Sequence, residues 1–157
     1  MKLIVTLLFA FVMSTGVSAQ EVFNQVVNTN KLIIEDPRAD ALSLNIAQFK
    51  FTSMQYLCNM AIKVNGGGVD ASFLDRQAYA MNQFITNYLG ELMQEKNTEK
   101  QTKIMKRYWQ ASAKNPLFGD KDTKTTRAFA TDANSLTPFS IDTNWELALK
   151  ASKEIKK

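Results

Sequence analysis

The chain has 157 residues, 19 Lys and Arg against 15 Asp and Glu spread along its length, one cysteine and no histidine. A net charge of +4 without clustered bases is too weak to argue for docking on nucleic acid or a membrane surface, and a lone cysteine excludes an internal disulfide. Without histidine the chain carries no Ser-His-Asp or Cys-His nucleophile, no His-ligated zinc or copper site and no imidazole proton shuttle.

The first predicted element is a leader. Lys2 precedes an apolar run over residues 3–13, then Ser14-Thr15-Gly16 and Val17-Ser18-Ala19. The run is shorter than the about 20 apolar residues a membrane-crossing helix needs. Small residues at 17 and 19 mark a Sec signal peptide cut before Gln20. Residues 1–19 are therefore expected to be a signal peptide and 20–157 one helical domain. No cysteine follows the run, so no lipid anchor is expected. The protein is predicted to be exported, soluble, in the periplasm or beyond, with no span after leader removal.

Residues 22–36 form a weak helix candidate, with Phe23, Val26, Val27, Ile33 and Ile34 on one side and Asn28-Thr29-Asn30 interrupting it. Asp36-Pro37-Arg38 turns the chain. Over residues 42–64, Leu44, Ala47, Phe51, Met54, Cys58 and Ala61 recur at steps of three and four, and Leu42, Ile46, Phe49, Leu57, Met60 and Val64 form a second, nearly opposite series. A helix apolar over most of its circumference is expected to be central. Cys58 lies on the first stripe, where burial and the lack of a base make it core filling rather than a nucleophile. The residues left over, Asn45, Gln48, Thr52, Gln55, Asn59 and Lys63, form a narrow polar strip. Its uncharged members are candidates for hydrogen bonding to a peptide or sugar.

Asn65-Gly66-Gly67-Gly68 closes this helix as a C-terminal cap and makes a poor phosphate cradle, since no strand precedes it and no Gly-Lys-Ser/Thr follows. The next helix spans about residues 72–94, opened by Ser72 and Asp75, with Leu74, Ala78, Met81, Ile85, Tyr88 and Leu92 inward. A further helix over 97–113 is expected to turn Ile104, Met105, Tyr108 and Trp109 inward and Lys103, Lys106 and Arg107 outward. It stops before Pro116. Residues 115–141, NPLFGDKDTKTTRAFATDANSLTPFSI, form a long irregular connection that holds a short helix at 123–131. Connections of this length often bind something. Its apolar residues Leu117, Phe118, Leu136 and Phe139 either line a pocket or pin the loop. Thr143-Asn144-Trp145-Glu146 reads as a capping box opening the last helix, through residue 155.

The acids Glu91 and Glu95, and Asp120 and Asp122, lie close in sequence, but glycoside hydrolysis needs two acids facing across a cleft about 5–9.5 Å wide. The run Asp120-Lys121-Asp122 lacks the remaining ligands of a calcium loop.

The segments IAQFKFTSMQYL, NPLFGD and TPFSIDTNWELA resemble a group of small exported helical proteins of gut bacteria. The resemblance implies an all-helical secreted domain and carries over no active-site residue. The fold expected is an all-α, single-domain bundle of four to five helices. The function expected is a non-enzymatic binding or accessory protein of the bacterial envelope, whose partner is a protein, peptide or glycan, with no cofactor. The ligand surface would use Asn45, Gln48, Thr52, Gln55 and Asn59 with Leu117, Phe118 and Phe139. The alternatives are a carboxylate-dependent hydrolase of glycan or cell wall, and a homo-oligomer joined through Cys58.

Overall fold

The structure, a computed structural model, describes residues 20–122 and 139–154. The leader, the short helix expected at 123–131 and Leu136 lie outside the described residues. Five helices are present among those described: α1 (Glu21–Glu35), α2 (Ala41–Val64), α3 (Ala71–Gln94), α4 (Thr98–Ala113) and α5 (Trp145–Glu154). They form an all-α bundle.

Local chemistry sets most of the boundaries. Asp40 caps α2 by accepting from the Ser43 amide, Asp70 caps α3 through Ser72, and Asn97 caps α4 through Lys100. Each satisfies an amide that the first helical turn leaves unpaired. At the end of α2, Gly66 and Gly67 take φ of 68° and 111°, and the Gly67 amide reaches back to the Ile62 carbonyl at 2.9 Å. That six-to-one closure requires the left-handed backbone that glycine supplies. The polar interruption expected in α1 does not break it. Asn28 and Thr29 face water, while Asn30 is buried and donates to the Val26 carbonyl at 2.7 Å.

The core is aromatic. Phe49 of α2, Phe84 and Tyr88 of α3, Tyr108 of α4, Phe139 from the connection and Trp145 of α5 are all buried. They meet edge-to-face with ring centroids 5.0–6.1 Å apart. Such contacts contribute about 0.5–1.5 kcal/mol each beyond burial.

The sequence pattern misplaces the hub. α3, not the more apolar α2, packs against all four other helices, whereas α2 lies along α1 and α3 and reaches α5 through the Phe49 ring on Trp145. Half of the apolar circumference of α2 is only partly covered, at Leu42, Leu44, Ile46, Phe51 and Met60. Cys58 is likewise half-buried, packed against the core rather than sealed inside it. The register of α4 also needs correction. Its inner face is Ile104, Arg107, Tyr108, Ala111 and Ser112, while Met105 and Trp109 stand 43% and 45% exposed. Tyr108 anchors the helix on Phe84 and Tyr88, which brings Ile104, Ala111 and Ser112, three or four residues away, to the same side.

α5 is latched by a buried side chain of α3. The Gln77 carbonyl oxygen accepts from the Trp145 amide at 2.8 Å, and its Nε2 donates to Asn144 Oδ1 and Glu146 Oε2 at 3.3 and 3.1 Å. Asn144, not Thr143, is the helix cap, accepting from the Leu147 amide. The expected capping box does not close, because Thr143 donates to the Ser140 carbonyl and pairs with Ser112, and Glu146 is drawn to Gln77 and Arg76.

Candidate functional site

Two constellations gather polar side chains from separate elements. The first is a cleft of about 350 Å³ between α3, α4 and α5, within the about 300–1,000 Å³ of small-ligand sites. From α3, Thr86, Asn87, Gly90, Glu91 and Gln94 line one wall. Tyr108 of α4 and Ser152 and Lys153 of α5 line the rest. A β-carbon added at Gly90 would meet nothing within 4 Å, so the glycine leaves open space beside the cleft rather than relieving a clash.

The acid of this cleft is engaged. Glu91 accepts from the Tyr108 hydroxyl at 2.7 Å and forms an ion pair with Arg107. Arg107 also lies 5.0 Å from the Tyr108 ring centroid, and its Nε is buried with no acceptor among the described residues. Burial, reinforced by the Glu91 hydrogen bond, holds the Tyr108 hydroxyl well above the ordinary tyrosine range, so it stays a donor. The arrangement fixes a carboxylate by a cation and a phenol. What remains to face a ligand is two amides, two hydroxyls, of which Ser152 already donates to the Leu149 carbonyl, the exposed Lys153 ammonium and the open face at Gly90.

The second constellation joins Tyr56 of α2 with Asp120 and Asp142. The Tyr56 hydroxyl donates to Asp120 Oδ2 at 3.0 Å. Asp142, only 4% exposed, accepts from the Phe118 and Asp120 amides at 2.8 and 2.9 Å. Between those two amides lies Gly119 with φ of 64°. The backbone here forms a concave nest of N–H groups, and the chain fills it with its own carboxylate. Asp120 Oδ1 in turn accepts from the Asp122 amide. Burial first, then the charges of Asp142 and Asp120, push the Tyr56 hydroxyl well above its ordinary range. All four carboxylate oxygens thus accept hydrogen bonds from the chain, and the cluster pins the connection to α2.

The residues singled out from sequence fall elsewhere. Asn45, Gln48, Gln55 and Asn59 are exposed and Thr52 half-buried on the outer face of α2, and none of them lines the cleft. Phe139 is fully buried among Phe49, Phe84 and Tyr88, so it fills the core instead of facing a ligand. Phe118 stacks edge-on against Tyr56, and Leu117 packs on the core. These loop residues therefore pin the connection. Of the adjacent acid pairs, Glu95 accepts from the Asn97 amide and does not join Glu91. The acid that does approach Asp120 is Asp142, 22 residues away. Among the described residues, no group of three His, Cys, Asp or Glu is arranged to hold a metal ion, and no helix is long and apolar enough to cross a membrane.

The cleft residues were missed because α3, α4 and α5 build them jointly. One signal was available: Gly90 inside a helix costs about 1 kcal/mol relative to alanine and asks for a reason. Comparison with family models, with curated proteins and with solved structures finds no match to this chain.

Proposed function

We propose that the protein is an exported, non-enzymatic binding or accessory protein of the bacterial envelope, and that its ligand is a short neutral glycan held in the cleft between α3, α4 and α5. The observation that carries this reading is the cleft's lining of amides and hydroxyls, with its one acid, Glu91, tied to Arg107 and Tyr108. Such groups can donate to and accept from the hydroxyl and acetamido groups of a sugar. The one acid is held by Arg107 and Tyr108, and Lys153 at the rim brings a cation without a second carboxylate to work against it. Export rests on the leader pattern at residues 1–19 and on the Val17-Ser18-Ala19 cut motif.

Titration of the ¹⁵N-labelled protein with a soluble oligosaccharide of N-acetyl amino sugars tests the reading. Amide signals of Asn87, Gly90 and Gln94 are expected to shift, and Gly90→Leu, which fills the open face, is expected to abolish the shifts. Shifts confined to Asn45, Gln48 and Gln55 would move the ligand surface to the α2 strip. No shift at either surface would sink the glycan assignment.

A second reading, a carboxylate-dependent hydrolase acting on glycan or cell wall, draws on the meeting of Asp120 and Asp142 at Tyr56. It requires turnover of the oligosaccharide that Asp142→Asn removes. A disulfide-linked homo-oligomer through the half-buried Cys58 would appear as a dimer on a non-reducing gel that reductant collapses.

A further inference from the structure

The most unusual polar contact in the molecule is at its described amino-terminal end. Asp75, in the second turn of α3, places Oδ2 2.8 Å from the Gln20 nitrogen and Oδ1 2.8 Å from the Phe23 nitrogen. These partners lie 55 and 52 residues away in the chain. Gln20 offers α1 no side-chain cap of its own, so Asp75 takes that place from another helix. Gln20 also has φ of 80°, and it is the sole non-glycine residue with positive φ among those described.

The Gln20 nitrogen is the atom that the leader pattern, read from sequence alone, marks for release. Two independent readings therefore meet at one atom: small residues at 17 and 19 set a cut between Ala19 and Gln20, and the fold holds a carboxylate at the nitrogen this cut would free. We infer that Asp75 is the seat of the mature amino terminus, and that leader removal completes the fold by turning an amide hydrogen bond into an ion pair.

The chemistry balances with water and a signal peptidase. Water adds across the Ala19–Gln20 peptide bond, Ala19 leaves with the new carboxylate, and the Gln20 nitrogen keeps the bonding electrons and takes protons to become an α-ammonium. That group is protonated at neutral pH, and a carboxylate accepts from an ammonium more strongly than from an amide. The same cut relieves the backbone. Positive φ is disfavoured because the preceding carbonyl crowds the side chain, and after cleavage Gln20 has no preceding carbonyl. The geometry at this residue thus fits a chain that begins here better than one that passes through.

This inference rests on the export reading, and the experiment separates the two. The full chain is expressed in an exporting host beside a variant with Thr-Ser inserted between Ala19 and Gln20, each with Asp75 or with Asp75→Asn. Mass spectrometry of the exported proteins is expected to place the first residue at Gln20 in the parent and two residues earlier in the insertion variant. A chain that keeps its leader overturns both readings. With Asp75 present, the protein beginning at Gln20 is expected to melt about 3 °C above the insertion variant, and Asp75→Asn is expected to erase that difference. Equal melting in the Asp75 background, or a difference that survives Asp75→Asn, overturns the seat while leaving export intact.

A second readout does not depend on stability. A free amino-terminal glutamine cyclises when its unprotonated nitrogen attacks the side-chain amide carbon and expels ammonia. An α-ammonium held by Asp75 cannot attack, so loss of ammonia is expected to run several-fold faster in Asp75→Asn than in the parent. Equal rates overturn the inference.

Discussion

α2 and α3 are both 24 residues long, and the contrast between them shows what apolar content does and does not decide. α2 carries more apolar residues around its circumference, yet it buries Ala47, Phe49, Ser53, Met54, Leu57 and Ala61 and leaves much of the rest half-covered. α3 carries Asp75, Arg76, Gln77, Asn82 and Gln83, yet it touches every other helix and buries nine residues where α2 buries six. Neither helix satisfies every buried polar atom. Buried Gln77 has both ends of its amide partnered. On α2, the buried Ser53 hydroxyl has no partner among the described residues, and Lys50 makes no ion pair there. Centrality belongs to the helix that reaches the most neighbours, and α3 does so in part through Gln77, whose buried amide latches α5. Its Asn82 Oδ1, like Ser53 Oγ on α2, is nonetheless buried without a partner among the described residues.

The largest expected effect tests the hub directly. Phe84 is fully buried and meets Tyr108, Phe139 and Trp145 edge-on. Phe84→Ala is expected to cost about 4 kcal/mol in urea unfolding. Phe51→Ala, at a half-buried site of α2, is expected to cost about 1 kcal/mol. Equal losses would break the distinction between the two helices.

Next comes Lys50, the weak point of α2. Burial alone lowers its pKa from the ordinary 10.5 to about 8. Below pH 8 the folded and unfolded chains both carry the proton, and the folded state bears the full cost of the buried charge. Between pH 8 and 10.5 the folded chain releases its proton first, so that cost fades and wild-type stability rises with pH. Lys50→Met is therefore expected to stabilise the protein at pH 7 by about 2 kcal/mol, after allowing for the part of the side chain that water still screens. The gain is expected to shrink as the pH approaches 10.5. A gain that is flat with pH would show that the added apolar contact, not the charge, is responsible.

These two helices also mark how far sequence carries. The elements themselves were legible, because caps such as Asn97, the glycine closure after α2 and the three-four spacing of apolar residues are local signals. The hub was not, since it depends on which segments find partners across the bundle. Trp109 was assigned inward and Arg107 outward. The reverse holds, because the ion pair of Arg107 with Glu91 turns the helix as much as its aromatics do. The export reading stands on the leader alone. The cleft was invisible for the same reason as the hub: Asn87, Tyr108 and Ser152 come from three helices, and no spacing along one helix links them. Asp120 and Asp142 show the converse, since adjacent acids suggested Asp122 as the partner and the fold supplied Asp142.

The latch on α5 gives a smaller effect with a local readout. Gln77→Ala leaves the Trp145 amide without an acceptor at a buried position, at an expected cost of about 1.5 kcal/mol. Hydrogen exchange is expected to quicken at the α5 amides first, because α5 is short and relies on α3 and α4 for its contacts. Uniform acceleration across the bundle would mean that α5 and α3 open together.

The smallest expected effect sharpens the comparison where the two helices offer rival ligand surfaces. Gln55 stands exposed in the amide strip of α2, with water on its outer side. Gln55→Ala is expected to change stability by less than about 0.5 kcal/mol and to leave glycan titration shifts at Asn87 and Gln94 unchanged. Asn87→Ala, in the wall of the cleft, is expected to weaken those shifts at similarly little cost to the fold. If Gln55→Ala were the variant that lost binding, the ligand surface would belong to the helix that packing leaves half-covered. The cleft would then be only the gap left where three helices diverge.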